Sequence, residues 1–184
     1  KSSNTSWGAK EAKRYLIDEQ GHEIDNVTIT SEDADALLPK AYFACLTYHF
    51  FFFLNRHTVI WQAILQFYNN IWKVPLFVRV FSSSTSVMLL ATIMRKDRLI
   101  NFSTYTASLK MIDGIGYWDT DVIPEDWRLF FKAFFSLQGR VVVEPLYLPI
   151  MADAAEAEGA WHTYVNQYEQ IKRWAWGVSD TPYI

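Results

Sequence analysis

Hydrophobic and polar positions change their spacing several times along the chain, and these changes predict helices and strands in turn. In the first 20 residues apolar side chains recur at near-helical spacing between Lys and Glu, which predicts a helix that Gly21 ends. The β-branched run NVTIT, Asn26 to Thr30, predicts a short buried strand. A second helix is predicted to start near Pro39 and to continue through the aromatic run AYFACLTYHFFFF.

The remainder of the chain repeats this alternation. VIWQAIL, Val59 to Leu65, fits either a strand or a helix, and RLINFSTYTASL predicts a loop followed by a strand. WRLFFKAFFSLQ predicts an amphipathic helix that Gly139 closes, RVVVEPLYLP a strand, and Trp161 to Trp176 the last helix. Strands alternating with helices favour an α/β fold with a partly parallel sheet, in which ligands bind at the carboxyl ends of strands.

Composition narrows the function classes. With 184 residues and 51% apolar residues, the chain is predicted to form one globular domain. Its net charge of −3 gives no reason to expect nucleic-acid binding. The single cysteine, Cys45, excludes an internal disulfide and fits a reducing compartment. The longest apolar run, Ala41 to Leu54, is too short and too polar to predict a membrane span.

Acidic residues directly follow the first predicted strand. SEDADALLP contains Asp33 and Asp35, which can face one side if the chain bends between them. Two close carboxylates are costly unless a cation lies between them, and Mg²⁺ or Mn²⁺ is commonly bound by one or two carboxylates plus phosphate oxygens. The alternative is a helix start, with Ser31 as the cap and the acids in the first turn. The motif alone leaves both interpretations open.

A second acidic group lies in DTDVIPEDW. Glu125 and Asp126 follow Pro124 and precede the predicted amphipathic helix. They could simply complement the dipole of that helix. Alternatively, Asp126 could be a general base whose proton affinity is tuned by burial beside Trp127. The preceding loop holds two further acids that are predicted to be solvated, Asp119 and Asp121.

The last predicted helix carries QIKRWAWG, Gln170 to Gly177. Its core-facing stripe is predicted to comprise Trp161, Tyr164, Tyr168 and Ile171. Another face presents a group spaced at i, i+3 and i+4, namely Gln170, Arg173 and Trp174. The guanidinium of Arg173 suits a phosphate, and the indole of Trp174 suits a sugar ring. The alternative is a solvated cation beside an aromatic residue packed on a neighbour.

The three groups occur in a fixed order, DAD at 33–35, ED at 125–126 and QIKRW at 170–174. This order resembles the family 2 glycosyltransferases, in particular the membrane-integrated group that includes cellulose and hyaluronan synthases. The pattern of that group is D-x-D, then T-E-D, then Q-x-x-R-W. The stretches FSTYTASLKMIDGIGYWD and GRVVVEPLYLP are similar to this group as well, so the resemblance covers the chain from Asn26 onward.

The resemblance implies a GT-A-like α/β fold, with a mixed, mostly parallel sheet flanked by helices. It implies transfer of a sugar, by a single inverting displacement, from a nucleotide-diphosphate sugar to a glycan or lipid acceptor in polysaccharide or glycolipid synthesis. Asp35 and Asp33 would hold Mg²⁺ or Mn²⁺ and the donor diphosphate. Asp126, with Glu125 beside it, would be the catalytic base. The substrates would be bound by Gln170, Arg173, Trp174 and Lys1.

Two departures from the family pattern shape these expectations. Pro124 stands where the family has threonine, and the chain begins after the point where the family's first, nucleotide-binding strands would lie. We therefore expect residues 1–184 to be part of one glycosyltransferase catalytic domain, without those strands and without flanking transmembrane segments, and inactive alone. The parent enzyme would lie at the plasma (inner) membrane, with its catalytic domain facing the cytoplasm.

Two other functions use the same residues. A non-catalytic remnant of a glycosyltransferase domain would bind sugar or a partner. A metal-dependent nucleotidyltransferase or phosphate-ester enzyme would use the acids at the strand end. This second alternative gives no role to the shared helix face, Gln170, Arg173 and Trp174.

Overall fold

The computed structural model describes residues 2–120 and 124–178, and within them four strands form one mixed sheet. The strands are β1 (Thr28–Ser31), β2 (Val59–Gln66), β3 (Tyr105–Ser108) and β4 (Val142–Met151). Their order across the sheet is β1-β3-β2-β4. Because β3 is antiparallel to β1 and β2, and β4 is parallel to β2, strands β1, β2 and β4 run in one direction.

Helices flank this sheet. The α-helices of the described chain are α1 (Ser2–Lys13), α2 (Tyr42–Phe52), α3 (Leu76–Ile93), α4 (Leu109–Gly114), α5 (Glu125–Ser136) and α6 (Ala160–Val178). Helix α1 continues in wider π-helical turns over Arg14–Glu19, and Gly21 follows with a φ of 72°. The α/β class is therefore confirmed, but among the described strands two of the three pairings are antiparallel, so the sheet is mixed.

The two faces of the sheet bury separate hydrophobic clusters. Side chains alternate along β2, so Ile60 packs with the cluster beneath α5, whereas its neighbour Trp61 packs with the cluster beneath α2. The ring of Trp61 is fully buried and lies 5.6 Å from the ring of Phe50 in α2. Removing such a side chain costs about 3–5 kcal/mol, so this contact holds α2 and β2 together.

Several elements differ from their prediction in type, bounds or burial. Val59 to Leu65, for which strand and helix were both open, forms most of the long strand β2. The strand predicted at Asn26 to Thr30 is displaced two residues toward the C-terminus at its start, and it is half-buried rather than buried because β1 is an edge strand. Gly139 has a φ of 76° and donates its backbone N–H to Phe134, so it does close α5.

One helix of the described chain, α3, is long and apolar enough to cross a membrane by length and composition, and 28% of it is buried. The apolar run from Ala41 to Leu54 instead forms the shorter helix α2. Length and apolar composition alone also fit helices in protein cores, so membrane localisation stays a prediction.

Candidate active site

One end of the sheet gathers the segments that carry the predicted site residues. The carboxyl ends of β1, β2 and β4 meet there with the amino end of β3, because β3 runs in the opposite direction. The segments at this end are residues 32–41 after β1, 67–75 after β2, 152–159 after β4 and 101–104 before β3. In α/β sheets this is the end at which ligands bind.

Ser103 joins the first and second acidic groups. Its Oγ donates a hydrogen bond of 2.5 Å to Oδ2 of Asp33, and its backbone N–H donates one of 2.7 Å to Oδ2 of Asp126. Asn101 adds a third contact, because its Nδ2 lies 3.0 Å from the main-chain oxygen of Asp126. The two carboxylates, separated by more than 90 positions in the sequence, therefore lie on either side of a single serine.

The backbone of Ser103 has an unusual conformation. Its φ of 53° is in the left-handed region, which non-glycine residues occupy only when the surrounding structure enforces it. This conformation directs the N–H and the Oγ of one residue toward two different carboxylates. Ser103 lies in the stretch FSTYTASLKMIDGIGYWD but in none of the three motifs, so no role was predicted for it.

The loop after β1 turns at the acids and does not begin a helix. The N–H of Ala36 donates to the oxygen of Asp33, and Leu37 exchanges two backbone hydrogen bonds with Met151 at the end of β4. Helix α2 starts only at Tyr42. The helix-start interpretation of Ser31 and the acids is therefore wrong, because pairing with β4 holds this segment extended.

Asp33 and Asp35 have different neighbours after this turn. Asp33 contacts Ser103, whereas Oδ2 of Asp35 accepts the backbone N–H of Asp153 at 3.2 Å, and Nδ2 of Asn69 lies 3.3 Å from the main-chain oxygen of Asp35. The side chain of Asp35 is exposed and that of Asp33 is partly exposed. Within the described residues, no three His, Cys, Asp or Glu side chains form a ready-made cation site.

Negative charge accumulates at this end of the sheet. Burial, and then the negative charge of Asp33, raises the pKa of Glu32. Burial raises the pKa of Tyr105 well above its usual value, and the negative charges of Asp126 and Glu125 add to this shift. The hydroxyl of Tyr105 accepts a 2.6 Å hydrogen bond from Nε1 of Trp118. A cation or a cationic substrate group would be stabilised here.

Asp126 lies in the first turn of α5, but its carboxylate reaches out of the helix to Ser103. Glu125 beside it is half-buried. Asp119, which was predicted to be solvated, instead lies 2.6 Å from Nζ of Lys132 and 3.0 Å from Nε of Arg128. The hydrogen bond from Lys132 has the largest effect on the pKa of Asp119 and lowers it. Burial acts in the opposite direction and the hydrogen bond from Arg128 lowers the pKa further, so the pKa lies below its usual value. Asp121 lies outside the described residues.

The buried face of helix α6 overlaps only in part with the predicted core stripe. The side chains of Trp161 and Tyr168 are 74% and 63% exposed, so two members of the predicted core stripe are wrong. Tyr164 packs against a hydrophobic cluster as predicted, and Ile171 is half-buried. The buried positions on the described part of the helix are Thr163, Gln167 and Gly177. A hydrophobicity pattern does not identify these positions, because their side chains are polar or absent.

The predicted substrate-binding residues of α6 are therefore divided. Gln170 is half-buried and accepts a 3.0 Å hydrogen bond from Gln167. Trp174 is 43% exposed, and its ring lies 6.2 Å from that of Phe67 after β2. Arg173 is exposed. Lys1 lies outside the described residues.

A close contact joins the end of α6, after the third motif, to the residue before the second motif. A β-carbon placed on Gly177 would lie 3.0 Å from Cβ of Pro124, the residue before Glu125 and Asp126. Glycine permits this approach of α6 to the start of α5. Contacts from Asp33 through Ser103 to Asp126 thus join the first two motifs, and the contact of Gly177 with Pro124 brings the helix of the third motif to the start of α5.

No protein-family model matches the chain, and a search of curated proteins finds no match either. The chemistry of the site must therefore be inferred from its own residues.

Proposed function

We propose that this chain carries the catalytic site of an inverting, metal-dependent glycosyltransferase of GT-A-like fold, which transfers a sugar from a nucleotide-diphosphate sugar to a glycan or lipid acceptor. The observation that supports this proposal most is the juxtaposition of Asp33 and Asp126 on Ser103. An inverting transfer needs a donor-binding acid and a separate base within one substrate length of each other.

Asp126 is the catalytic base in this proposal. A carboxylate that accepts a backbone N–H is stabilised in its ionised form, and only that form takes a proton from an acceptor hydroxyl. The hydrogen bond from Ser103 engages Oδ2, which fixes the orientation of the carboxylate. Glu125, its half-buried neighbour, adds negative charge to the same side of the site.

Asp33 and Asp35 supply oxygen ligands that fit Mg²⁺ or Mn²⁺. Such an ion needs only one or two carboxylates when phosphate oxygens and water complete its coordination, so a ready-made group of three acids is not required. When bound, the ion would neutralise charge developing on the leaving diphosphate. The chain's own contribution is the turn at residues 33–36, which places both carboxylates beside the strand ends.

Helix α6 supplies the acceptor side of the site. The indole of Trp174 packs near Phe67 yet remains 43% exposed, so one part of the ring is available to a sugar. Gln170 offers amide hydrogen-bonding groups one turn earlier, and the exposed guanidinium of Arg173 suits a phosphate. Membrane association at the inner leaflet would keep a lipid or a growing glycan near this helix.

The experiment is a screen of nucleotide-diphosphate sugars with the full-length protein. We expect one donor class to show manganese-dependent, saturable binding and slow hydrolysis, with transfer once the correct acceptor is present. A protein that binds sugars or glycans but no nucleotide sugar would instead be a non-catalytic binding domain. Release of pyrophosphate from nucleoside triphosphates would indicate a nucleotidyltransferase.

A further inference from the structure

Gln62 is a fully buried polar residue in the middle of β2, and no motif includes it. Its Oε1 accepts the backbone N–H of Phe102 at 2.8 Å, and its Nε2 donates to the backbone oxygen of Thr104 at 3.0 Å. The same Nε2 also lies 3.0 Å from the oxygen of Ala63. The amide group of one side chain therefore holds the residues on both sides of Ser103.

This arrangement explains how Ser103 keeps its left-handed backbone. A non-glycine residue in that region costs of order 1–3 kcal/mol, so its neighbours must be fixed for it to persist. Gln62 fixes both neighbours through hydrogen bonds of its buried amide group, and buried polar groups are costly to leave without partners. With Phe102 and Thr104 held, the N–H of Ser103 faces Asp126 and its Oγ faces Asp33.

We propose that Gln62 is the positioning residue of the site, acting through Ser103 to hold the carboxylates of Asp33 and Asp126 in their relative positions. The inference rests on the proposed glycosyltransferase function for its kinetic consequences, but its structural consequence is independent of any activity. Gln62 itself contacts no substrate, because its side chain is 0% exposed. Its effect is expected on turnover rather than on donor affinity.

The test compares Gln62→Met with Gln66→Met in the full-length protein. Both glutamines lie in β2 and donate to backbone oxygens, but Gln66 contacts Leu65 and Ser86 and not the 102–104 segment. We expect Gln62→Met to lower kcat at least tenfold with less than a threefold change in donor KM. Gln66→Met should leave these parameters unchanged.

A structural measurement tests the positioning role of Gln62 separately from the proposed glycosyltransferase function. In the unaltered protein, the amide hydrogen of Ser103 should exchange slowly with solvent, because it is donated to Asp126. Gln62→Met should speed that exchange at least tenfold and Gln66→Met should not, whether or not a donor has been found. Wild-type transfer kinetics in a folded Gln62→Met variant, or an unchanged exchange rate of the Ser103 amide, would overturn the positioning role. Absence of transfer by the unaltered protein would instead count against the proposed function.

A second variant covers the case in which Gln62→Met does not fold. Gln62→Glu keeps the acceptor for Phe102, and in its protonated form the carboxyl can also donate to Thr104. Burial keeps such a carboxyl protonated into the neutral range. We expect near-wild-type kcat at pH 6 and a fall at higher pH that the unaltered protein does not show. An identical pH profile for the two proteins would overturn the inference.

Discussion

Gly177 of α6 and Pro124 at the start of α5 are in such close contact that a β-carbon on the glycine would lie 3.0 Å from Cβ of the proline. Separations that short force a neighbour to move. The contact joins the end of the QIKRWAWG motif to the residue that precedes the predicted catalytic acids. It also gives a structural role to Pro124, which departs from the threonine of the family pattern.

The first prediction concerns this contact. Alanine in place of a helical glycine normally stabilises a protein by about 0.5–1 kcal/mol. We expect Gly8→Ala, in α1 with open space around it, to show that gain, and Gly177→Ala to show none or a loss. Pro124→Gly removes the opposing Cβ, so Gly177→Ala should regain stability in that background. Urea denaturation of the four variants measures this, and an equal gain for both alanines would argue against the contact.

The second prediction concerns Trp174. Trp174→Ala should raise the acceptor KM about tenfold, which corresponds to roughly 1.4 kcal/mol, because the indole is the aromatic surface beside Phe67 at the site. Trp161→Ala on the same helix is the control, since that ring is 74% exposed and faces away. Acceptor titration at saturating donor measures both. Equal effects of the two substitutions would count against an acceptor site on this face.

The third prediction concerns the metal. Asp35→Asn and Asp33→Asn should each weaken manganese-dependent donor binding at least tenfold, because each removes a negatively charged oxygen ligand. Asp97→Asn is the matched control, since that exposed acid pairs with Arg95 and belongs to none of the four segments at the site end of the sheet. Calorimetric titration of manganese in the presence of nucleoside diphosphate measures the difference. Unchanged manganese affinity in both site variants would rule out the assignment.

The fourth prediction concerns alkaline pH. Burial raises the pKa of Tyr105 well above 10, whereas the same hydroxyl in the unfolded chain ionises near 10. Above that pH the unfolded state therefore loses protons that the folded state retains, and stability falls as pH rises. Lys13, whose pKa is raised chiefly by its hydrogen bond to Asp113, contributes with the same sign.

Denaturant titrations at pH 8 and pH 11 measure this loss of stability. Tyr105→Phe should reduce the difference between the two values, because it removes one of the groups responsible. The same substitution should cost about 1–3 kcal/mol at pH 8, since the indole N–H of Trp118 loses its buried acceptor. A Tyr105→Phe variant with the full alkaline loss would contradict this explanation.

The fold was largely predictable because it depends on local patterns. Runs of β-branched residues between predicted helices identified β1 and β4, and the position of Gly139 identified the end of α5. The same local rules failed for α6, where Trp161 and Tyr168 were assigned to the core and are exposed. The buried positions of this helix include Thr163 and Gln167, and a hydrophobicity pattern assigns such polar residues to solvent.

The candidate site was predictable only in part. The order of the acidic and aromatic motifs placed Asp33, Asp126 and Trp174 in one hypothesis. Ser103 and Gln62 were missed because their contacts join positions 70 and 40 residues apart, and no short motif records such pairs. Asp119 was misjudged for a similar reason, since its cationic partners lie in the following helix.

Asp126→Asn tests the central claim most directly. The amide keeps an oxygen that can accept the N–H of Ser103, so the geometry of the site should persist while the base is lost. We predict that transfer falls by about 10²- to 10⁴-fold, with nucleotide-sugar binding within twofold of the unaltered protein. Full turnover by the folded Asp126→Asn variant would contradict the assignment of Asp126 as the catalytic base and the account built on it.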